Sequence, residues 1–282
     1  MGRECRIIVA CGKKGVGKSV ETIRMIYEYV NGNPEKGVPP RKSLIFDVND
    51  EFSDFWFFGE QHKVKSLAIK DIQKFSVSPF IEVRRIRPYH DNGKRMTISD
   101  MAEILSIILD TYRNGLLLVE DVNKYTGDYM QTDLIGALAT ARHIGVDCVM
   151  HFQGVGRSAN PKIIGNCNFI RLHKTNDSVM RHKTKFEEKT EILYIAETIV
   201  NNRYRNGDKR FFVYVNIDDM KIIGKFKKEE VDVAIDDYIE FNRNKLLKPL
   251  LNKRNVQNEK VHTNESAIKK IHDDLYDDYF KV

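Results

Sequence analysis

The amino-acid sequence predicts an α/β fold: a mainly parallel sheet with helices on both faces, followed by a C-terminal β-hairpin and further helices. Three observations predict it. Short apolar runs of strand length recur at residues 6–11, 43–48, 116–119, 148–153 and 169–172. Stretches with apolar residues at helical spacing separate several of them, and glycine-rich or polar turns end them. Runs that are apolar at most positions, without strict alternation, suit strands buried on both faces, and strand–helix alternation at these lengths implies right-handed βαβ units.

The run 6–11, with Ile7, Ile8 and Val9, is the first strand. It leads through a glycine-rich turn into a helix, because Val20, Ile23, Ile26, Tyr27 and Val30 recur at helical spacing before Asn31, Gly32 and Pro34 stop it. The second strand, 43–48, ends in an acidic loop containing Asp47, Asn49, Asp50 and Glu51, and residues 80–86 show a weaker, alternating strand pattern. Thr97 with Asp100 is a capping signal for a helix whose stripe is Met101, Ile104, Leu105, Ile108 and Tyr112, ended by Asn114 and Gly115. Residues 116–119 form the third apolar strand, terminated by Glu120 and Asp121. A helix over 133–143 leads to the strand 148–153, and another strand follows at 169–172.

Beyond this core, 191–204 reads as a helix, 211–218 and 221–226 as a hairpin turning at Asp218 and Asp219, and 229–247 as one amphipathic helix. After Pro249 the chain is polar, with a short helical pattern near 267–280. That tail is too thin in apolar residues to build a core alone and is expected to dock on a partner or to be partly mobile. The expected organisation is a domain over 1–226 and a C-terminal helical extension and tail over 227–282.

Composition narrows the class. A chain of 282 residues can form one large domain or a domain with an appendage, and 41% hydrophobic with 30% charged residues excludes a mostly disordered or fibrous protein. No apolar run approaches the ~20 residues that span a bilayer, and the N-terminus lacks the succession of a signal peptide, so a cytoplasmic protein without a membrane span is expected. Cys5, Cys11, Cys148 and Cys167 show no paired spacing. His143, His151, His173 and His182 show no ligand spacing either and read as structural or surface residues, so no resident transition metal is expected. A net charge of +6 permits nucleic-acid contact without requiring it.

The turn after the first strand carries the chemistry. Gly12, Lys13, Lys14, Gly15, Val16, Gly17, Lys18 and Ser19 satisfy G-x-x-x-x-G-K-[ST] between a strand and a helix. In that context the backbone N–H groups from Gly12 to Val20 would curl around a phosphate chain at a helix N-terminus. Lys18 would reach the terminal phosphates of ATP, and Ser19 would offer a hydroxyl to Mg²⁺. The bland alternative is a glycine turn with a solvated lysine. Glu120 and Asp121 oppose it, because an apolar strand that delivers carboxylates to the sheet edge supplies the acidic partner such a loop needs. Adjacent strand residues point to opposite sides, so one carboxylate can face the metal and its neighbour the attacking water.

These pieces resemble the FtsK and HerA group of additional-strand, catalytic-glutamate P-loop ATPases. GKKGVGKS is similar to the group's phosphate loop, LIFDVNDEF to its strand ending in Asp before a Glu-aromatic pair, and ARHIGVDCVMHFQGVGR to its helix-to-sensor segment. The resemblance covers about residues 6–172 and implies a RecA-like core in which the strand ending at Gln153 lies between the phosphate-loop strand and the acidic strand. Gln153 would then touch both the γ-phosphate and the attacking water. The group forms rings, usually hexamers, in which an arginine of one subunit completes the next site; Arg142 and Arg171 are the candidates here. The group's usual acidic order is Asp then Glu, whereas this chain has Glu120 then Asp121. By position Glu120 would hold the Mg²⁺ shell and Asp121 orient the water, the exchanged assignment also being open, and Glu51 would help either task.

The group moves DNA. A compact motor such as this one looks most like packaging ATPases of viruses and mobile elements, which implies DNA and a capsid or portal-like partner, in a host cytoplasm or a virion. The candidate DNA contacts are Arg84, Arg85, Arg87, Lys94 and Arg95; Arg157 and Lys162; and Arg203, Arg205, Lys209 and Arg210. The competing classes are a small-molecule kinase, a secretion-associated motor, and a virion component that binds nucleotide without moving DNA. The acceptor-binding arginines and lid of a kinase are not recognisable in the sequence.

Overall fold

The structure, a computed structural model, describes residues 5–57, 59–126, 144–158 and 161–281. Strand β1 (Ile7–Cys11) is buried at every position and runs through the phosphate loop into α1 (Lys18–Asn31). Then come β2 (Lys42–Phe46), the hairpin β3 (Asp54–Phe57) and β4 (Glu60–Lys63), the short β5 (Lys65–Ser66), α2 (Ile72–Val77) and β6 (Val83–Ile86). Helix α3 (Ile98–Thr111) leads to β7 (Gly115–Val119) and α4 (Asn123–Thr126), and β8 (Asp147–Phe152) leads to α5 (Val155–Ser158), α6 (Pro161–Asn166) and β9 (Phe169–His173). Helices α7 (Lys183–Phe186) and α8 (Thr190–Arg205) precede the hairpin β10 (Phe212–Asn216) and β11 (Lys221–Gly224). Helices α9 (Lys228–Phe241), α10 (Arg243–Leu251) and α11 (Asn264–Phe280) close the chain.

The main sheet runs β11-β10-β9-β1-β8-β7-β2-β6-β5. It is parallel from β9 to β5, and β10 and β11 extend it antiparallel. Alternation along the strands builds two cores. Ile8, Ala10, Leu116, Leu118 and Val149 pack with Ile26 of α1 and Phe55 of β3 on one face. Val9, Leu117, Val119 and Met150 pack with Ile104 and Ile108 of α3 and Ile195 of α8 on the other.

The expected α/β architecture is therefore present, with both helical faces and the C-terminal hairpin. The cap of α3 is the reciprocal one foreseen: Thr97 Oγ1 accepts from Asp100 N at 3.2 Å, and Asp100 accepts from Thr97 N at 2.7 Å. Asn114 takes a left-handed φ of 56° to end the segment, whereas Gly115 belongs to β7.

Three features differ from the sequence reading. The polar–aromatic stretch after Glu51 is a hairpin, with Phe55 buried under α1 and Trp56 exposed. The stretch 229–247 is two helices, because Asn242 leaves helical geometry (φ −109°, ψ 17°) and its side-chain amide donates back to Tyr238 O at 3.0 Å. Helix α10 then runs past Pro249. The tail docks on the chain itself: Ala267, Leu275 and Tyr279 are buried as α11 packs on α9, α10 and β11. Tyr279 donates to Glu191 at 2.5 Å, and Leu275 and Tyr279 join Val231, Ile235 and Tyr238 in the same core cluster as β1. Neither stripe makes a core alone; facing each other they do.

The helix expected over 133–143, and Arg142 with it, lies outside the described residues. No helix among the described residues is long and apolar enough to cross a membrane. The four cysteines are buried, with no disulfide between them.

Candidate nucleotide site

Strands β1, β8, β7 and β2 end at one edge of the sheet, and a cleft of about 550 Å³ opens there. One wall is the phosphate loop, with Lys14, Gly15, Gly17, Lys18, Ser19 and Val20 lining it. The loop is tied to the sheet at several points. Gly12 N donates to Phe152 O at 3.1 Å, Lys13 N donates to Lys174 O at 2.8 Å, and His173 Nδ1 lies 3.1 Å from Val16 O. A Cβ on Gly12 would stand 2.7 Å from His173 Cβ, so only glycine lets the loop approach β9 this closely. Lys18 curls back over its own loop, its ammonium donating to the carbonyls of Gly12 and, at 2.9 Å, of Lys13. Burial holds that ammonium below the usual lysine range, against the pull of Asp121 and Glu120.

The facing wall is acidic and contains Asn49, Glu51, Glu120 and Asp121. Its loop is shaped by Asp47, which is fully buried and accepts from Glu51 N (2.9 Å), Phe52 N (2.9 Å) and Arg85 Nη1 (2.7 Å). Asp50, at φ 59°, shares Arg85 at 2.6 Å and takes Arg87 at 2.9 Å. The strand-end Asp of LIFDVNDEF thus works as a brace that presents Asn49 and Glu51 to the cleft. Glu120 is 5% exposed, and burial together with Asp47 and Glu51 pushes its carboxyl up to about 8.

Strand parity sorts the pair at the end of β7. Glu120 follows Leu118 on the α1 face, and Gln153 follows Val149 and His151 on the same face of β8. Asp121 would by parity point away. It takes instead a left-handed φ of 43°, and Gln153 Nε2 donates to its two carboxylate oxygens at 3.0 and 3.1 Å. A left-handed aspartate costs on the order of 1 kcal/mol, and such strain concentrates at functional positions.

Behind the phosphate loop lies a buried polar knot. Arg171, fully buried on β9, donates through Nη2 to Thr22 Oγ1 (2.5 Å) and Lys18 O (3.1 Å). His151 Nε2 sits 2.7 Å from the same Thr22 hydroxyl, and burial with Arg171 nearby keeps its imidazole far below the usual histidine range, hence neutral. Arg171 therefore braces the helix behind its own subunit's phosphate loop, and the expectation that it acts on a neighbouring subunit is corrected. A guanidinium sealed under α1 has no path to another chain.

Of the basic stretches, much is committed internally. Arg84 pairs with Glu82 at 2.8 Å, Arg85 and Arg87 with the Asp47 and Asp50 carboxylates, and Arg203 with Glu230 at 2.6 Å. Lys209 and Arg210 stand beside the phosphate loop, with Lys209 Nζ 4.1 Å from the Tyr204 ring that Lys13 approaches at 4.4 Å. The side chain of Arg157 lies outside those described.

Strand β8 stands between β1, which carries the phosphate loop, and β7, which carries the acidic pair. That order defines the fold of the additional-strand P-loop NTPases, the superfamily the motifs resemble. No family model matches the sequence, and no curated protein does. Among solved structures, the chain is similar to the genome packaging NTPase B204 from Sulfolobus turreted icosahedral virus 2 in complex with AMP. The two are 15% identical with a TM-score of 0.49, over 80% of this chain and 99% of that one. Other similar structures are the N-terminal domain of zonular occludens toxin from Neisseria meningitidis (13% identity, TM-score 0.36, 62% and 79% covered) and the Legionella pneumophila ATPase DotB (12%, 0.34, 85% and 57%).

Proposed function

We propose that the protein is an ATPase of the FtsK/HerA type that works in a ring, usually of six, to translocate or package DNA. The observation that carries this reading is the meeting of the phosphate loop, the Glu120–Asp121 pair and Gln153 at one edge of the sheet. The residues present fit ATP with Mg²⁺. The loop offers backbone donors and Lys18 to the phosphates, and the crowded acidic wall, with Glu120 raised to about 8, is the arrangement a divalent cation relieves.

In this mechanism Gly12 to Val20 hold the phosphate chain, and Lys18 leaves its loop carbonyls to meet the terminal phosphates. Ser19 and Glu120 would hold Mg²⁺, which when bound neutralises charge on the β- and γ-phosphate oxygens. Asp121 orients the water that attacks the γ-phosphorus and accepts its proton as the bond to ADP breaks. Gln153, bonded to Asp121 in this structure, exchanges that bond for the γ-phosphate and carries its state along β8. Arg142 is the arginine left to act in trans, where such a group is worth on the order of 10³ to 10⁵ in rate. Residues 1–226 are then the motor and 227–282 its extension, with DNA gripped without regard to sequence and a capsid or portal-like partner as the docking body.

A second reading, a nucleotide-binding virion or secretion-associated ATPase that moves no DNA, is favoured by one observation: Arg84, Arg85, Arg87 and Arg203 are ion-paired within the chain. ATP turnover with and without duplex DNA, alongside a native mass measurement, separates the two. DNA-stimulated turnover by a ring supports translocation, and DNA-independent turnover supports the second reading.

A further inference from the structure

The turn between α8 and β10 brings a cation to the nucleotide cleft that no phosphate-loop motif contains. Arg210 lines the cleft, and its stem packs on Gly17: its Cβ and Cγ lie 3.4 Å, and its Cδ 3.7 Å, from where a Cβ on Gly17 would stand. Gly17 itself adopts a φ of 88°, so it is the residue that can both turn the loop and leave room for this stem. The turn is built to hold that position. Gly207 has a φ of 98°, Asp208 N donates to Arg203 O at 3.0 Å, and Lys209 Nζ donates to Tyr204 O at 3.1 Å. Tyr204 in turn meets Lys13 of the phosphate loop through its ring, so turn and loop are clasped together. Arg203 is committed to Glu230, whereas no hydrogen bond or ion pair among the described residues holds the exposed Arg210.

We infer that Arg210 binds the phosphate chain of the nucleotide in its own subunit, as a second cationic arm opposite Lys18. This rests on the nucleotide-binding reading and removes Arg210 from the DNA-contacting set. A guanidinium suits the task because its planar fork meets phosphate oxygens in pairs. The arm also gives the C-terminal hairpin a direct stake in nucleotide state, since β10 pairs with β9 and β11.

The test is calorimetric titration of ATP and of ADP, with Mg²⁺, into the full chain and its Arg210→Ala, Arg210→Lys and Lys18→Ala variants, with duplex-DNA affinity measured on each. Arg210→Ala is expected to weaken ATP and ADP about tenfold, with Arg210→Lys intermediate and DNA affinity unchanged. Unchanged nucleotide affinity in Arg210→Ala, while Lys18→Ala loses binding, overturns the inference and leaves the nucleotide reading standing. The same holds if Arg210→Ala loses DNA affinity instead. Absence of nucleotide binding by the unmodified protein overturns both.

Discussion

Replacing Glu120 by Gln tests the acidic wall without a nucleotide present. Burial, Asp47 and Glu51 raise the Glu120 carboxyl from 4.5 to about 8 in the folded chain. A carboxyl with a raised folded value favours the folded state while it stays protonated. Its contribution is therefore complete below pH 4.5 and is lost as pH climbs through about 8. A displacement of this size corresponds to roughly 5 kcal/mol. Gln has nearly the same shape and no ionisation, so Glu120→Gln should escape that loss. Urea unfolding of both proteins, free of Mg²⁺ and nucleotide, is the assay. At pH 5 the two should agree within about 1 kcal/mol, and at pH 8.5 the variant should be the more stable by several kcal/mol. Glu197, raised to about 7 by burial, titrates in both and cancels in the difference. Parallel stability profiles across this range would mean that the acidic wall does not raise the Glu120 carboxyl. Adding Mg²⁺ and nucleotide should shrink the gap, because a cation stabilises the charged form.

Gln153→Ala removes the hydrogen bonds that engage Asp121. Steady-state kinetics should give a kcat reduced about 10- to 100-fold with a much smaller change in KM, since the amide meets the γ-phosphate and the attacking water while the phosphate loop and Lys18 hold the rest of the nucleotide. Thr22→Val deletes the hydroxyl shared by Arg171 and His151. Thermal or urea unfolding should show a loss of about 2–3 kcal/mol, because a buried cation and imidazole each lose a partner. A loss below about 0.5 kcal/mol would mean that the knot contributes little.

The parts of the fold and site that are local in sequence were legible from it. Each apolar run is a strand, Thr97 and Asp100 form the reciprocal cap, and the parity that sets Glu120 on the face of Leu116 and Leu118 follows from their spacing alone. The rest depends on partners far along the chain. Arg171 sits in FIRLH, where alternation places it on the α1 side with Phe169, but its role comes from Thr22 and the Lys18 carbonyl. Asp47 looks like one more acid in an acidic loop until Arg85 arrives from β6. Helix α11 has apolar residues at four-residue spacing, Ala267, Ile271, Leu275 and Tyr279, yet the core that Ile271, Leu275 and Tyr279 meet also needs Val231, Ile235 and Tyr238 of α9. Arg210 reads as a DNA contact from its charge, and charge alone does not distinguish one phosphate from another. Only the left-handed turn at Gly207 and the clasp through Tyr204 set it against the phosphate loop.

The activity proposed for the cleft is hydrolysis of ATP coupled to movement of DNA. Its most direct test is ATP turnover by the purified chain with Mg²⁺, measured with and without duplex DNA and repeated with Lys18→Ala. The expected result is turnover that rises several-fold with DNA and disappears in the variant. Turnover that ignores DNA, or that survives the loss of Lys18, would contradict it.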